Sequence, residues 1–384
     1  MGVAWESEGV PSALANLRVV DFSRVLAGPF ATMMLADLGA VVTKIEAPGG
    51  DDTRHWGPPY DEAGDATYFQ AVNRNKRTLV LNLTDPGDLE RARKLARGSD
   101  VLVENFRPGV TERFGLHYEA VRAANPRIVY CSITGFGRGE GAALPGYDLL
   151  IQALGGLMSI TGSPEREPQK VGVALVDVLA GLFSTVGILA ALEYRRDSGE
   201  GQRIEVDLLS SLLAGLVNQA SAYTVAGVVP ARMGNQHPSI APYELLSCAD
   251  RELVLAVGND RQFAALCEVL DTSGLARDPR FETNTARVEN RDALRIALSD
   301  RLKTRDAGAW ASELTGAGVP AGVVNDIAGA FELARALGLR PTVEIERGEG
   351  GSIELTRNPI GLSVTPPSYR SAPPRFPRPQ LGPP

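Results

Sequence analysis

Short apolar runs bounded by turn formers fill the first half of the chain. Residues 17–22 (LRVVDF) read as a strand, residues 28–38 (GPFATMMLADL) as a helix stopped by Gly39, and residues 40–46 (AVVTKIE) as a second strand. Strands this apolar are buried on both faces, and a helix between two of them makes a β-α-β unit. The alternation continues with strands at 78–83, 101–104 and 127–133 and helices at 88–97, 118–124 and 147–158. A strand at 203–208 and a long apolar helix at 209–225 follow. This pattern predicts a mostly parallel sheet wrapped by helices, an α/β arrangement that takes ligands at the carboxyl ends of its strands.

The stretch 171–195, VGVALVDVLAGLFSTVGILAALEYR, stands apart because it is apolar from Val171 to Leu192 except for Asp177, Ser184 and Thr185. It reads as a short buried strand over 171–176 and a buried helix over 178–194. Asp177 then falls at the junction, facing unpaired backbone N–H groups and the positive end of the helix dipole. Two readings are open there: a helix N-cap, or a carboxylate kept ionised for chemistry. About 20 apolar residues also suffice to cross a bilayer, but Asp177 would be costly in hydrocarbon, and no flanking basic cluster appears.

After residue 226 the texture changes. Residues 243–256 read as two antiparallel strands turning at Ala249–Asp250, followed by helices at 260–270, 291–303 and 307–314. Residues 319–324 begin a return, 327–336 form a helix, and 341–346 and 353–357 read as strands. The expected domains are a large one over 1–208, a linker helix and loop over 209–232, and a small α+β domain over 233–316. Residues 317–384 return to complete the large domain and end in a tail. The last 19 residues, PPSYRSAPPRFPRPQLGPP, hold eight prolines and should be an extended strap. Two long loops, 48–66 and 134–146, interrupt the first half, and loops of such length are usually functional or disordered.

Composition narrows the class. The chain has 384 residues, 44% hydrophobic and 22% charged, as in a soluble globular protein, and its net charge of −7 argues against nonspecific nucleic-acid binding. Cys131, Cys248 and Cys267 are too few and too scattered for a disulfide framework and fit a reducing compartment. His55, His117 and His237 form no metal-ligand spacing, so no metal is expected. The first 16 residues lack the basic and apolar regions of a signal peptide, so a cytoplasmic location is expected.

Four constellations carry candidate chemistry. The turn SRVLAGPFA after the first strand, with Glu46 ending the second, has the place but not the G-x-G-x-x-G pattern of a dinucleotide site. The basic residues Arg74, Lys76, Arg77, Arg107 and Arg113 suit phosphates, or are ordinary solvated charges. Tyr147 and Asp148 open a helix, as a core aromatic and an N-cap or as site residues. The segment GNQHPSIAPY (234–243) is a mobile lid or a plain connector. No nucleophile elbow, P-loop or H-E-x-x-H occurs, which leaves a carboxylate nucleophile as the strongest chemical candidate.

Ten blocks in order then form a larger match: DFSRVLAGP, ADLGAVVTKIE, GDDTRHWGPP, NRNKRTLVLNL, VENFRPGVTERFGL, PRIVYCSITGFG, GYDLLIQALGGLMSITG, VGVALVDVLAGL, SGEGQRIEVDLL and GNQHPSIAPY. From about residue 17 to about residue 382 the chain resembles the class III, formyl-CoA-transferase-like CoA-transferases. Within them it is most similar to succinate–hydroxymethylglutarate (glutarate) CoA-transferases. The resemblance implies a Rossmann-like large domain built from both ends of the chain plus a small domain, a catalytic aspartate at Asp177, acyl-CoA and a carboxylic acid as substrates, and an interlocked homodimer as the assembly. It implies coenzyme A contacts at Val25, Leu26, Leu81, Asn82, Asn105, Phe106, Arg107 and Arg113, an active-site tyrosine at Tyr147, and a lid at Gly234, Asn235, Gln236, His237 and Ser239. Three positions depart from the formyl-CoA pattern. Leu26 replaces a glutamine, Ala47 replaces an arginine near the adenosine phosphates, and the lid is not a glycine run.

The same fold serves α-methylacyl-CoA racemases, which have histidine where Tyr147 stands, and a non-catalytic CoA-binding protein is a third reading. A tyrosine, with an ordinary pKa of about 10, is poorly matched to proton transfer near neutrality, which favours the transferase. The chemistry that follows uses Asp177 as nucleophile. An ordinary aspartate, with a pKa of about 3.9, is ionised without a helper base. Backbone N–H groups at the helix start after Asp177 are the expected oxyanion donors.

Overall fold

The structure, a computed structural model, describes residues 11–348 and 351–376 and falls into two compact units. The first unit comprises residues 1–157, 171–227 and 340–384, and the second 158–170 and 228–339.

The first unit is built on six parallel strands: β1 (Arg18–Asp21), β2 (Val41–Glu46), β3 (Lys76–Val80), β4 (Val101–Glu104), β5 (Val129–Thr134) and β6 (Arg203–Asp207). Their order is β3-β2-β1-β4-β5-β6. Strand order reverses between β1 and β4, which opens a crevice at their carboxyl ends. One face of the sheet buries Val20, Leu102, Ile128 and Tyr130 with Leu116 and Val121. The first helix, Ala27–Asp37, is almost wholly buried, and the long helix, Leu175–Ser198, packs against it.

The long helix departs from the sequence reading in two ways. Residues 171–174 form no strand, and the helix begins at Leu175, so Asp177 lies in its first turn rather than at a strand end. The edge beside β5 is taken by β6, which leaves this apolar run no ladder to join. Nor is the helix buried all round. Small residues face inward: a Cβ on Gly181 would lie 2.7 Å from the Ala27 carbonyl oxygen, and Ala180, Ser184 and Ala191 are buried. Of the large ones, Val176 and Ile188 are buried as well, but Leu182, Phe183, Val186 and Leu189 are exposed, Val186 by 63%. By length and composition the helix could cross a membrane.

The remainder of this unit is a hairpin of β10 (Thr342–Glu346) and β11 (Ser352–Thr356), then an extended strap. Asn75 donates its N–H to the Ser371 carbonyl, and Arg370 donates to the carbonyls of Ala36, Gly39 and Ala40 at the end of the first helix. The strap is thus tied to its own chain as far as residue 376; the rest of the proline-rich tail (377–384) and the first ten residues lie outside the described residues.

The second unit carries a three-stranded antiparallel sheet, β7 (Tyr243–Ser247), β8 (Glu252–Ala256) and β9 (Ala321–Val323), in that order. Its core gathers Leu253, Leu255, Phe263, Leu266, Trp310 and Leu314. This unit is larger than the 233–316 expected, because β9 completes its sheet by pairing with β8 instead of starting the return. The segment Gly234 to Ser239 is pinned within it. Arg291 donates to the carbonyls of His237 and Pro238, Asn284 to that of Ser239, and Gln236 to Glu244. Asn235 lies at the exposed part of the same turn.

Candidate active site

The carboxyl ends of four adjacent strands bring the expected coenzyme A residues to one edge. Val25 and Leu26 follow β1, Ala47 follows β2, Leu81 and Asn82 follow β3, and Asn105, Phe106 and Arg107 follow β4. The β1 and β4 turns are tied across the reversal point. The Arg24 N–H donates to Asn105 Oδ1 at 2.9 Å, and Asn105 Nδ2 returns a bond to the Arg24 carbonyl at 2.9 Å. Phe22 and Phe106 pack ring to ring beside them. Arg107 and Arg113 are exposed, the latter over the Phe114 ring in the short Val110–Phe114 helix. Glu104, buried at the end of β4, holds this turn from beneath through the Phe106 N–H at 2.9 Å, and burial pushes its carboxyl up to about 6.

Two members of the basic set do other work. Arg74 is buried on Asp37, with Nε and Nη2 at 2.9 and 2.6 Å from its two oxygens. Lys76 is buried on Asp21, Asn73 and the Pro29 carbonyl. Both sit at the amino end of β3 with their donors consumed by interior acceptors, so they are not phosphate ligands. Glu46 is likewise spent on Arg54, at 2.7 Å from both Nε and Nη2, and on Thr78, which removes it as a ribose-binding acid.

The turn after β1 is strained. Val25 has φ of 69°, a left-handed value that a β-branched residue adopts only at a cost of about 1–3 kcal/mol. Its side chain joins a small cluster with Leu26, Phe30, Tyr68, Ala174 and Val178. Ala174 and Val178 flank Asp177, so this turn and the start of the long helix share one wall.

Asp177 is half-buried. Burial and, after it, the charge of Asp148 push its carboxyl up from the ordinary aspartate value to about 7. The expectation of a fully ionised aspartate held by the helix dipole is therefore corrected: desolvation and a like charge outweigh the dipole. The helix N-cap, Ala174, offers no side-chain acceptor. Asp148 supplies it from another element, the Asp148–Leu154 helix, accepting from the Val176 N–H at 2.8 Å and the Asp177 N–H at 3.4 Å. Gln152, one turn on, donates to Asp148 at 2.6 Å and accepts from the Val171 N–H at 2.9 Å. The first N–H after Asp177, that of Val178, which the sequence reading reserved as an oxyanion donor, is spent inside the helix on the Ala174 carbonyl at 3.2 Å. The contacts of Asp148 show that this residue caps the long helix rather than its own. Tyr147, by contrast, is 60% exposed.

Sequence reasoning missed Tyr68. It lies in the Thr67–Ala71 helix, edge-on to Trp56 at 5.5 Å between ring centres. Burial, then the charges of Asp177, Asp148 and Asp51, push its phenol up to about 12. The phenol therefore stays a neutral O–H donor near neutral pH. No one-dimensional pattern marks it; the only signal was its place between the loop carrying Trp56 and the NRNKR run.

Replacing Asp148 with asparagine keeps an acceptor for the helix N–H groups and removes the like charge. The acid limb of the pH–rate profile should therefore move below the wild-type value near 7. An unmoved limb in Asp148→Asn would remove Asp148 from the control of Asp177.

Comparison with known proteins identifies the family. Residues 14–378 match CoA-transferase family III. A succinate–glutarate CoA-transferase from Agrobacterium fabrum is 44% identical over 379 residues, covering 96% of this chain and 93% of that protein. An acetyl-CoA:oxalate CoA-transferase from Acetobacter aceti is 41% identical, covering 91% of this chain and 88% of that protein. Among solved structures, a CAIB/BAIF family protein from Brucella suis is 42% identical with a TM-score of 0.85, covering 95% of this chain and 96% of that one.

Proposed function

The chain belongs to CoA-transferase family III and is a CoA-transferase; from that premise we propose that it moves coenzyme A from succinyl-CoA, or another dicarboxylyl-CoA, to a free carboxylic acid through covalent intermediates on Asp177. The observation that carries the reading is the placement of Asp177. It is the half-buried carboxylate at the start of the long helix, next to the strained β1 turn and with Asp148 fixing its backbone.

The steps balance without ATP or a metal. The ionised Asp177 attacks the donor thioester carbonyl, expels the CoA thiolate and becomes a mixed anhydride. The thiolate attacks the aspartyl carbonyl, releasing the donor acid and leaving an aspartyl-CoA thioester. The acceptor carboxylate attacks that carbonyl, freeing the thiolate and forming a second anhydride. The thiolate then takes the acceptor acyl group and returns Asp177 as a carboxylate. The oxyanion formed at each stage needs a donor. With the helix N–H groups already engaged, the Tyr68 O–H is the donor this reading assigns.

Activity should follow the ionisation of Asp177. Its carboxyl is raised, so the protonated, inactive form accumulates below about pH 7. The value of kcat/KM for the donor should rise with pH through that value and level off above it. A flat profile between pH 5 and 8, measured with succinyl-CoA, would contradict a nucleophile of this pKa. The choice of dicarboxylyl donor rests on the named relatives, one of which is a succinate–glutarate CoA-transferase. Mass spectrometry of the products from a panel of dicarboxylyl-CoA and monocarboxylyl-CoA donors with succinate, glutarate and oxalate tests it, and transfer confined to the monocarboxylyl-CoA donors would overturn it.

We also propose a homodimer. Leu182, Phe183, Val186 and Leu189 form an exposed apolar row on a helix whose small residues face its own chain. A row of this size is unlike the scattered apolar residues of a monomer surface, and a second copy is the partner the family resemblance implies.

A further inference from the structure

We propose that Asp51 is a positioning residue for coenzyme A, holding the β1 turn in the strained form that receives the cofactor. The inference rests on the functional reading above and on coenzyme A lying against Val25 and Leu26, as the family resemblance implies. The Val25 N–H points at Asp51, 3.3 and 3.4 Å from its two oxygens. Asp51 is itself fixed on every side. Lys44 Nζ lies 2.9 Å away, with both side chains fully buried, and the Thr53 N–H and hydroxyl donate to Oδ1 at 3.0 and 2.8 Å. Burial pushes the Asp51 carboxyl up, but the Lys44 ammonium and these hydrogen bonds outweigh it and the net shift is downward, so the acceptor stays charged. Lys44 also donates to the Ser23 carbonyl at 2.8 Å, two residues before Val25, and the Ser23 N–H is held by Asp21 at 2.9 Å.

The turn is therefore gripped from the β2 side by Asp51 and Lys44 and from the β4 side by Asn105. A buried ion pair is a poor source of stability, and a left-handed valine opposes it. An arrangement that joins the two makes sense as a device for specifying one backbone conformation. That conformation sets the backbone of Val25 and Leu26 beside the wall that carries Asp177. Glycine would adopt the same φ without strain but would leave the turn free to adopt others.

The test measures coenzyme A binding by calorimetry, KM and kcat with succinyl-CoA, and the thermal midpoint, all on the full chain. Asp51→Ala should weaken coenzyme A binding by about tenfold or more, with the loss falling on KM rather than kcat. Val25→Gly should weaken binding about fivefold, through lost preorganisation. It should leave the thermal midpoint at or above the wild-type value, because strain is relieved. A residue that served only stability would lower the midpoint and leave affinity unchanged well below it. If Asp51→Ala does not fold, Val25→Gly carries the test alone. Val25→Gly protein that binds coenzyme A as tightly as wild type would overturn the proposal. Wild-type protein that binds no coenzyme A would overturn the functional reading and this one with it, so the two failures are distinguishable.

Discussion

Alanine in place of Asp177 should reduce CoA transfer by about ten-thousand-fold or more, the loss typical of removing a covalent nucleophile. The variant should fold, and a stability measurement separates lost chemistry from lost structure. In the native protein the Asp177 carboxyl is raised to about 7 by burial and then by Asp148, whereas in the unfolded chain it sits near its ordinary value. The folded state therefore holds a proton that the unfolded state gives up. Below the ordinary aspartate range both states are protonated, and the group is neutral to stability. As pH rises from there through about 7, the native protein bears a growing penalty for Asp177. Asp177→Ala should consequently melt at a higher temperature than wild type at pH 8, and the difference should vanish near pH 4. Transfer by Asp177→Ala at a near wild-type rate would end the mechanism. Lost transfer together with a lower midpoint at pH 8 would point to misfolding instead.

A second large effect should follow from charge on the apolar row of the long helix. If a second copy covers Phe183 and Val186, then Phe183→Asp with Val186→Asp places unpaired carboxylates inside the interface of both subunits. An uncompensated buried charge costs about 3–5 kcal/mol, so the dimer should dissociate by at least about a thousandfold more readily. Sedimentation should show a single chain where wild type shows two. A wild-type protein that sediments as one chain, or a doubly charged variant that remains a dimer, would contradict the assignment. Because the small residues of the helix, Ala180, Gly181, Ser184 and Ala191, face its own unit, these exposed substitutions leave the intramolecular packing in place.

The sheet was legible because its signals are local. The strand at Val101–Glu104 and the helices at Tyr118–Ala124 and Ile327–Ala336 fall where apolar period and turn residues put them. The β7–β8 hairpin turns where Ala249 and Asp250 mark it. The candidate coenzyme A residues came from the family resemblance rather than from this pattern, which ran the third strand through Leu81 and Asn82, whereas β3 ends at Val80. What sequence did not give depends on partners distant in the chain. Asp148 caps a helix that begins 27 residues later, and nothing in GYDLLIQ shows that its carboxylate reaches Val176 rather than its own helix. Arg74 and Lys76 looked like anion ligands because their partners, Asp37 and Asp21, lie on other elements. Apolar character alone also cannot separate a core from an uncovered interface. This is why residues 171–195 read as buried throughout, while Phe183 and Val186 face outward. Nor could composition show that burial would lift Asp177 toward neutrality.

The central claim is that Asp177 is acylated in each turnover, and isotope transfer tests it most directly. When the acceptor acid attacks the aspartyl-CoA carbonyl, one of its oxygens becomes the anhydride bridge, and final cleavage leaves that oxygen on Asp177. Protein turned over with succinyl-CoA and an acceptor acid labelled with heavy oxygen should be digested and the peptide carrying Asp177 weighed. The account expects heavy oxygen in that carboxylate and in no other, and none in a control lacking succinyl-CoA. Full turnover with an unlabelled Asp177 would mean that the acids exchange coenzyme A without covalent passage through this residue.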